Sequence, residues 1–209
     1  MVPLWLKIGW TAWVALWAPA YALHFGPENF MWFCNLANFA VAVGLWTESP
    51  LLISWQAVSV LLVMLLYDID VIVRFFFGFF PIGGTGFMFD EAIPLEIRLL
   101  SLCMHVATPP VLIWGLARLG YDRRAFPLQV ATAAVMIAIS WHGGPDRNIN
   151  WSWGPLFREQ HVVSPALYIG VAAVGYALVL YLPSHLFFSR VWPRSRVKPA
   201  VPEVVDNSC

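Results

Sequence analysis

The sequence predicts an all-α fold: a polytopic membrane helix bundle with about six transmembrane helices and one interfacial or re-entrant segment. Three observations carry that prediction. Of the 209 residues, 60% are hydrophobic and only 11% charged, with a mean hydropathy of +0.70. A soluble domain carries about 25% charged residues, so the polar surface needed to face water is missing. Six apolar segments then approach or reach the roughly 20 residues that cross about 30 Å of hydrocarbon. Turn-forming residues stand between them: Gly26-Pro27, Ser49-Pro50, Gly120 with Asp122, Gly143-Gly144-Pro145 and Ser164-Pro165.

In chain order the expected spans are residues 4–24, 30–46, 51–67, 97–119, 127–141 and 164–188. The first has a signal-peptide look, with Lys7, an apolar run and Ala20-Tyr21-Ala22, and is read as a retained helix. The second, third and fifth are short, which local bilayer thinning accommodates. The connection 68–96 is long. Its part 71–80 is apolar and aromatic but too short to span, hence the interfacial or re-entrant assignment, and Pro81-Ile82-Gly83-Gly84-Thr85-Gly86 reads as a plain turn with no phosphate-binding fingerprint. Residues 1–189 form one bundle, and 190–209, rich in Pro, Arg, Lys and Val, read as a disordered basic tail.

Net charge is zero, with 12 Lys or Arg against 12 Asp or Glu, which removes the basic footprint of a nucleic-acid binder. The basic residues are unevenly placed. Lys7, Arg118, Arg123, Arg124, Arg190, Arg194, Arg196 and Lys198 fall on one side of a six-span topology, against Arg74, Arg98, Arg147 and Arg158 on the other. The positive-inside rule then puts both termini in the cytoplasm.

Polar side chains gather on the opposite, outer side. Inserting one into hydrocarbon costs a few kcal/mol, so such residues face the bundle interior or a wet cavity. Arg98, Ser101, His105 and Thr108 recur at three, four and three, on one face of the fourth helix, with Cys103 facing elsewhere. Pro109 and Pro110 predict a kink that frees the carbonyls of His105 and Val106. Cys34, Asn35 and Asn38 cluster on helix two. From 1.5 Å per residue, Cys34 lies about 6 Å and His105 about 12 Å below the outer helix ends, close enough to meet.

A thiol within reach of an imidazole is an activated nucleophile, and neighbouring amides can steady an oxyanion. Cys34, His105, Asn35 and Asn150 are therefore the candidate catalytic residues, with Asn38, Arg98, Ser101, Thr108 and Trp151 as candidate substrate contacts. The alternative for Cys34 is a small buried hydrophobe, and for His105 a ring satisfying neighbouring backbone. Asp68 and Asp70, with His24 or His142, offer carboxylate and imidazole to a metal, but nothing has zinc-site spacing, and Asp70 with Arg74 at i, i+4 suits an ion pair. No haem attachment site is present, and no cofactor is expected. Trp10, Trp13, Trp17, Tyr21 and His24 form a stripe that packs against neighbouring helices or lines a groove for a lipid tail. His185, paired with Pro183, is assigned a structural role.

The order of Trp32-Phe33-Cys34-Asn35-Leu36-Ala37, Leu102-Cys103-Met104-His105 and Asn148-Ile149-Asn150-Trp151 with Gly154 resembles the YwaF-like bacterial integral membrane proteins and the related eukaryotic transmembrane protein 164, over roughly residues 30–183. Leu182-Pro183-Ser184-His185 resembles the ending of a branch of bacterial membrane proteins. The resemblance implies a lipid acyltransferase with an intramembrane Cys and His, mapping onto Cys34 and His105. This chain departs from that pattern at Trp32, where the family tends to have His, and at Asn150-Trp151-Ser152-Trp153-Gly154, where it tends to have Gly-x-Asn-Tyr.

Two functions are therefore expected. One is a membrane enzyme acting on lipid acyl groups, an acyltransferase or lipid hydrolase working from the outer leaflet, with membrane lipids as partners. The other is a non-enzymatic subunit beside larger membrane-protein partners, or a binder of a hydrophobic ligand. In that case the loop 143–161, with Trp151, Trp153 and Phe157, would be a docking surface.

Overall fold

The computed structural model describes residues 1–158 and 160–193. The fold is an all-α bundle. Its long helices are α1 (Leu4–Phe25), α2 (Phe33–Trp46), α3 (residues 50–77), α4 (Leu95–Leu119), α5 (Ala125–Trp141) and α6 (Pro165–Val191). Each expected apolar segment lies within one of them except at its start, residues 30–32 of the second forming a 3-10 turn and an extended cap before α2 and Ser164 preceding α6. Two, α4 and α6, are long and apolar enough to cross a membrane by length and composition, and α2 and α5 are shorter apolar helices. The tail beyond Pro193, with Arg194, Arg196, Lys198 and Cys209, lies outside the described residues.

The longest departure from expectation is α3. No separate re-entrant segment follows it. Instead Leu62–Phe77 continues the helix until Gly78, whose φ of 79° ends it in the left-handed region that glycine adopts without a Cβ clash. The start is set by Ser49, whose hydroxyl accepts the Leu52 amide at 3.3 Å, followed by Pro50 in the first turn. Two helices carry a π-helical stretch, Ala57–Leu61 in α3 and Tyr176–Tyr181 in α6. The stretches pack against one another. The helix α4 runs on through Pro109 and Pro110.

Polar contacts gather the helix ends into two groups. At one end Lys7 on α1 bonds Glu48 after α2 at 2.8 Å, the Asp122 amide donates to Ser54 on α3 at 2.9 Å, and the Tyr121 amide donates to Trp192 after α6. Lys7 holds the Glu48 carboxyl below the usual carboxylate range. Tyr121 also meets His185 Nδ1 at 2.8 Å, which is the structural role expected for that histidine. At the other end gather residues 26–32, the loop after Gly78 and residues 142–158.

Close helix approach rests on small residues at the centre. Gly44 on α2 and Gly115 on α4 both face Ile53 of α3, which is fully buried, and a Cβ on Gly115 would lie 2.8 Å from an Ile53 methyl. The substitution Gly115→Val is expected to force α3 and α4 apart and cost about 1–3 kcal/mol, as overpacked cores do. Thermal unfolding in detergent measures it, and an unchanged midpoint would refute this account. The aromatic stripe of α1 turns inward: Trp10 and Trp17 are buried, and the Trp10 and Trp13 indoles donate to the carbonyl and side-chain oxygens of Asn38. It packs the bundle, and its member Tyr21 reaches the cavity described next.

Candidate functional site

The polar face of α4 is buried as the spacing predicts. Ser101, His105 and Thr108 face the interior while Cys103 is exposed. Two of them border a cavity of about 660 Å³ between α1, α2, α3, α4 and α6, well within the range of small-molecule pockets. The walls are mostly apolar and aromatic: Phe33, Val60, Val63, Tyr67, Met104 and Leu180 stand for a longer set. Both π-helical stretches contribute, through Ser59 and Val60 on α3 and through Tyr176, Leu180 and Tyr181 on α6. One extra residue per turn widens a helix locally, and such bulges recur at functional sites.

His105 is held by two contacts. Its Nδ1 lies 2.8 Å from the Ser101 carbonyl, and since a carbonyl can only accept, Nδ1 carries the proton. Its ring stacks on Tyr67 at 3.6 Å and 12°, and the Tyr67 hydroxyl meets the Ser101 hydroxyl at 3.1 Å. Cys34 sits in the first turn of α2 and lines the same cavity. The expected Cys34–His105 hydrogen bond is not formed. The thiol turns to the Asn35 side-chain oxygen at 3.8 Å, and the imidazole proton goes to its own helix. The two groups share a cavity without sharing a proton.

Asn35 lines the cavity and donates one amide hydrogen to the Asn29 carbonyl at 2.7 Å. Asn150 also lines it, but its side chain is a clamp and not an oxyanion donor. Nδ2 donates to the Met31 carbonyl at 2.8 Å and to the Ser140 hydroxyl at 3.2 Å, while Oδ1 accepts the Phe33 amide at 3.0 Å. Both of its hydrogens are thereby engaged. Of the candidate substrate contacts, Ser101 and Trp151 border the cavity. The other three do not. Asn38 is buried against Trp13, Thr108 donates to the Met104 carbonyl at 2.6 Å, and Arg98 reaches the Met88 carbonyl at 3.4 Å.

Two loops close the cavity toward the end of the bundle where Glu28 and Arg147 meet at 2.9 Å. That partner holds the Glu28 carboxyl below its ordinary range. One loop is built on a single carboxylate. Asp70 Oδ1 accepts the amides of Ile82 and Gly83, and Oδ2 accepts those of Gly84 and Thr85 together with the Thr85 hydroxyl, all between 2.7 and 3.1 Å. The turn expected at residues 81–86 is therefore a nest around an anion, and its Gly83, Gly84, Gly86 and Phe87 line the cavity. The expected Asp70–Arg74 ion pair is absent. Arg74 bonds the Gly78 carbonyl and lies over the Phe80 ring at 4.8 Å. Among the described residues no group of three His, Cys, Asp or Glu could hold a metal ion.

The second loop, residues 142–158, rests on Asn148 and Asn150, both with positive φ. Asn148 donates to the Gly154 carbonyl and accepts the Trp153 amide, each at 2.8 Å. Gly154 admits no side chain, because a Cβ there would lie 1.7 Å from the Arg158 carbonyl oxygen. Trp153 stacks on Trp141 at 5.2 Å and donates to its carbonyl, so it serves the loop's own packing. Tyr168 and Tyr176 of α6 donate to the carbonyls of Trp151 and Asn150. Sequence reasoning missed Tyr67, Tyr176 and the loop glycines as cavity residues.

No known protein family, curated protein or solved structure matches this chain. The resemblance to the YwaF-like proteins therefore rests on the quoted motifs alone.

Proposed function

We propose that this is a multi-pass membrane protein, with α1 to α6 as its membrane helices and both termini cytoplasmic, that binds the apolar body of a lipid-like molecule in the cavity. The cavity carries the reading: about 660 Å³ of mostly apolar and aromatic wall, in a chain too poor in charge to cover itself with polar surface. The outsides of the helices suit a lipid environment. Leu167, Val171, Val174, Leu178 and Val179 of α6 and Phe75, Phe76 and Phe77 of α3 are exposed, where a soluble protein would rarely leave so large an apolar area.

Native mass spectrometry of protein extracted in mild detergent tests this. Wild type should retain one lipid-sized adduct, and Val63→Trp, which fills the cavity from α3, should lose it while keeping its helical circular dichroism. An equal adduct on both would refute the reading.

Acyl transfer by Cys34 and His105 is a second reading, supported by their lining one cavity with Asn35 beside the thiol. Catalysis would require the sulfur to leave Asn35 for His105 Nε2, so that the imidazole takes the thiol proton as Cys34 attacks the carbonyl of a lipid ester and returns it to the ester oxygen as the C–O bond breaks and the alcohol leaves. A hydroxylamine-sensitive acyl adduct on Cys34 in wild type, lost in His105→Ala, would be the outcome expected. A bound lipid that never acylates Cys34 would leave the binding function alone.

A further inference from the structure

The polarity of the bound molecule can be read from one imidazole. His105 Nδ1 carries a proton because it faces the Ser101 carbonyl at 2.8 Å, and the neutral ring has only one, so Nε2 presents a lone pair. The ring cannot swing to exchange these roles, being stacked on Tyr67 at 3.6 Å while Tyr67 is itself tied to Ser101. No carboxylate pairs with it among the described residues, which leaves nothing to hold a second proton in an apolar surrounding. Nε2 bears no hydrogen bond from a described residue and is not sealed from the cavity that His105 borders. The neighbouring protein donors face elsewhere: the Cys34 thiol points at Asn35 and the Tyr176 hydroxyl at the Asn150 carbonyl.

Resting on the lipid-binding reading, we infer that the cavity selects a long-chain lipid whose polar end is a hydroxyl, with that hydroxyl donating to His105 Nε2. An ether or ester oxygen at the same place has no proton to give and meets a lone pair. A carboxylate at the same place has no proton to give either, and would bring a charge into an apolar surrounding.

Tryptophan quenching provides the test, since Trp32 and Trp151 line the cavity. Purified full-length protein in detergent is titrated with 12-bromododecanol and with its methyl ether. The alcohol should quench saturably, and the ether should bind about tenfold more weakly, the size of one hydrogen bond to a buried acceptor. In His105→Phe the two probes should bind alike, and His105→Gln, which restores an acceptor, should regain part of the preference. If the ether binds wild type as tightly as the alcohol, the hydroxyl assignment is overturned while lipid binding stands. If neither probe saturates, the lipid-binding reading falls and takes the assignment with it. The wild-type comparison decides the matter even where His105→Phe fails to fold.

Discussion

Asp70→Asn is expected to release the loop over residues 81–86 and to open one wall of the cavity. The two side chains have nearly the same shape, so the effect isolates charge and proton direction. In Asp70→Asn one oxygen can still accept the amides of Ile82 and Gly83. The other becomes an NH₂ group facing the Gly84 and Thr85 amides, both of them donors, while the Thr85 hydroxyl can turn to accept from it. Asp70 is 1% exposed and Thr85 equally buried, so water cannot supply the missing acceptor.

An unsatisfied buried donor costs about 1–3 kcal/mol, and bonds to a charged acceptor stand at the upper end. Two such losses bring the expected destabilisation to about 3 kcal/mol. Amide exchange at Ile82 to Thr85 should then quicken about a hundredfold if the loop opens locally, at about 1.4 kcal/mol per tenfold. Arg74→Ala serves as the control, because Arg74 does not touch the carboxylate; it should leave those amides protected. Equal protection in wild type and Asp70→Asn would show that the carboxylate does not hold the loop.

What could be read from the sequence and what could not divides by distance along the chain. The helices, their turns and the inward face of Ser101, His105 and Thr108 follow from spacings of three and four. The outward turn of Cys103 is the same geometry. Asp70 shows where this stops. Its i, i+4 relation to Arg74 predicts a helical ion pair, but the loop twelve to fifteen residues on offers five donors in one concave turn and displaces the arginine. The run after Asp70 is too short to span by itself, which suggests a separate re-entrant piece. With no breaker before Gly78 it simply lengthens α3. The π-helical stretches leave no mark in apolar composition, though they give the cavity much of its lining. Cys34 and His105 line one cavity, in keeping with the compatible depths that their positions along the helices suggest. Depth alone does not fix rotation about a helix axis, and each finds a hydrogen-bond partner within its own helix.

Asn150 illustrates the same limit and gives the second large effect. An oxyanion donor and a clamp make opposite demands on Asn150→Ala. A donor to a reaction intermediate could be removed with little change in stability and a large loss of turnover. A clamp should do the reverse: Asn150→Ala leaves the Met31 carbonyl, the Ser140 hydroxyl and the Phe33 amide without their partner, at a site 3% exposed. It also places alanine at φ 52°, a left-handed conformation that costs a residue with a Cβ about 1–2 kcal/mol. The expected destabilisation is about 3–5 kcal/mol, read as unfolding in detergent. Asn150→Gly tolerates the backbone but lacks the side chain, so it should recover about 1 kcal/mol and no more. Asn150→Asp should be worse than its similar shape suggests, because it turns an oxygen toward the Met31 carbonyl. The Phe33 amide opens the first turn of α2, one residue before Cys34, so exchange at the start of α2 should rise in all three variants. A stable Asn150→Ala with unchanged exchange there would return Asn150 to the list of groups free to act on a bound molecule.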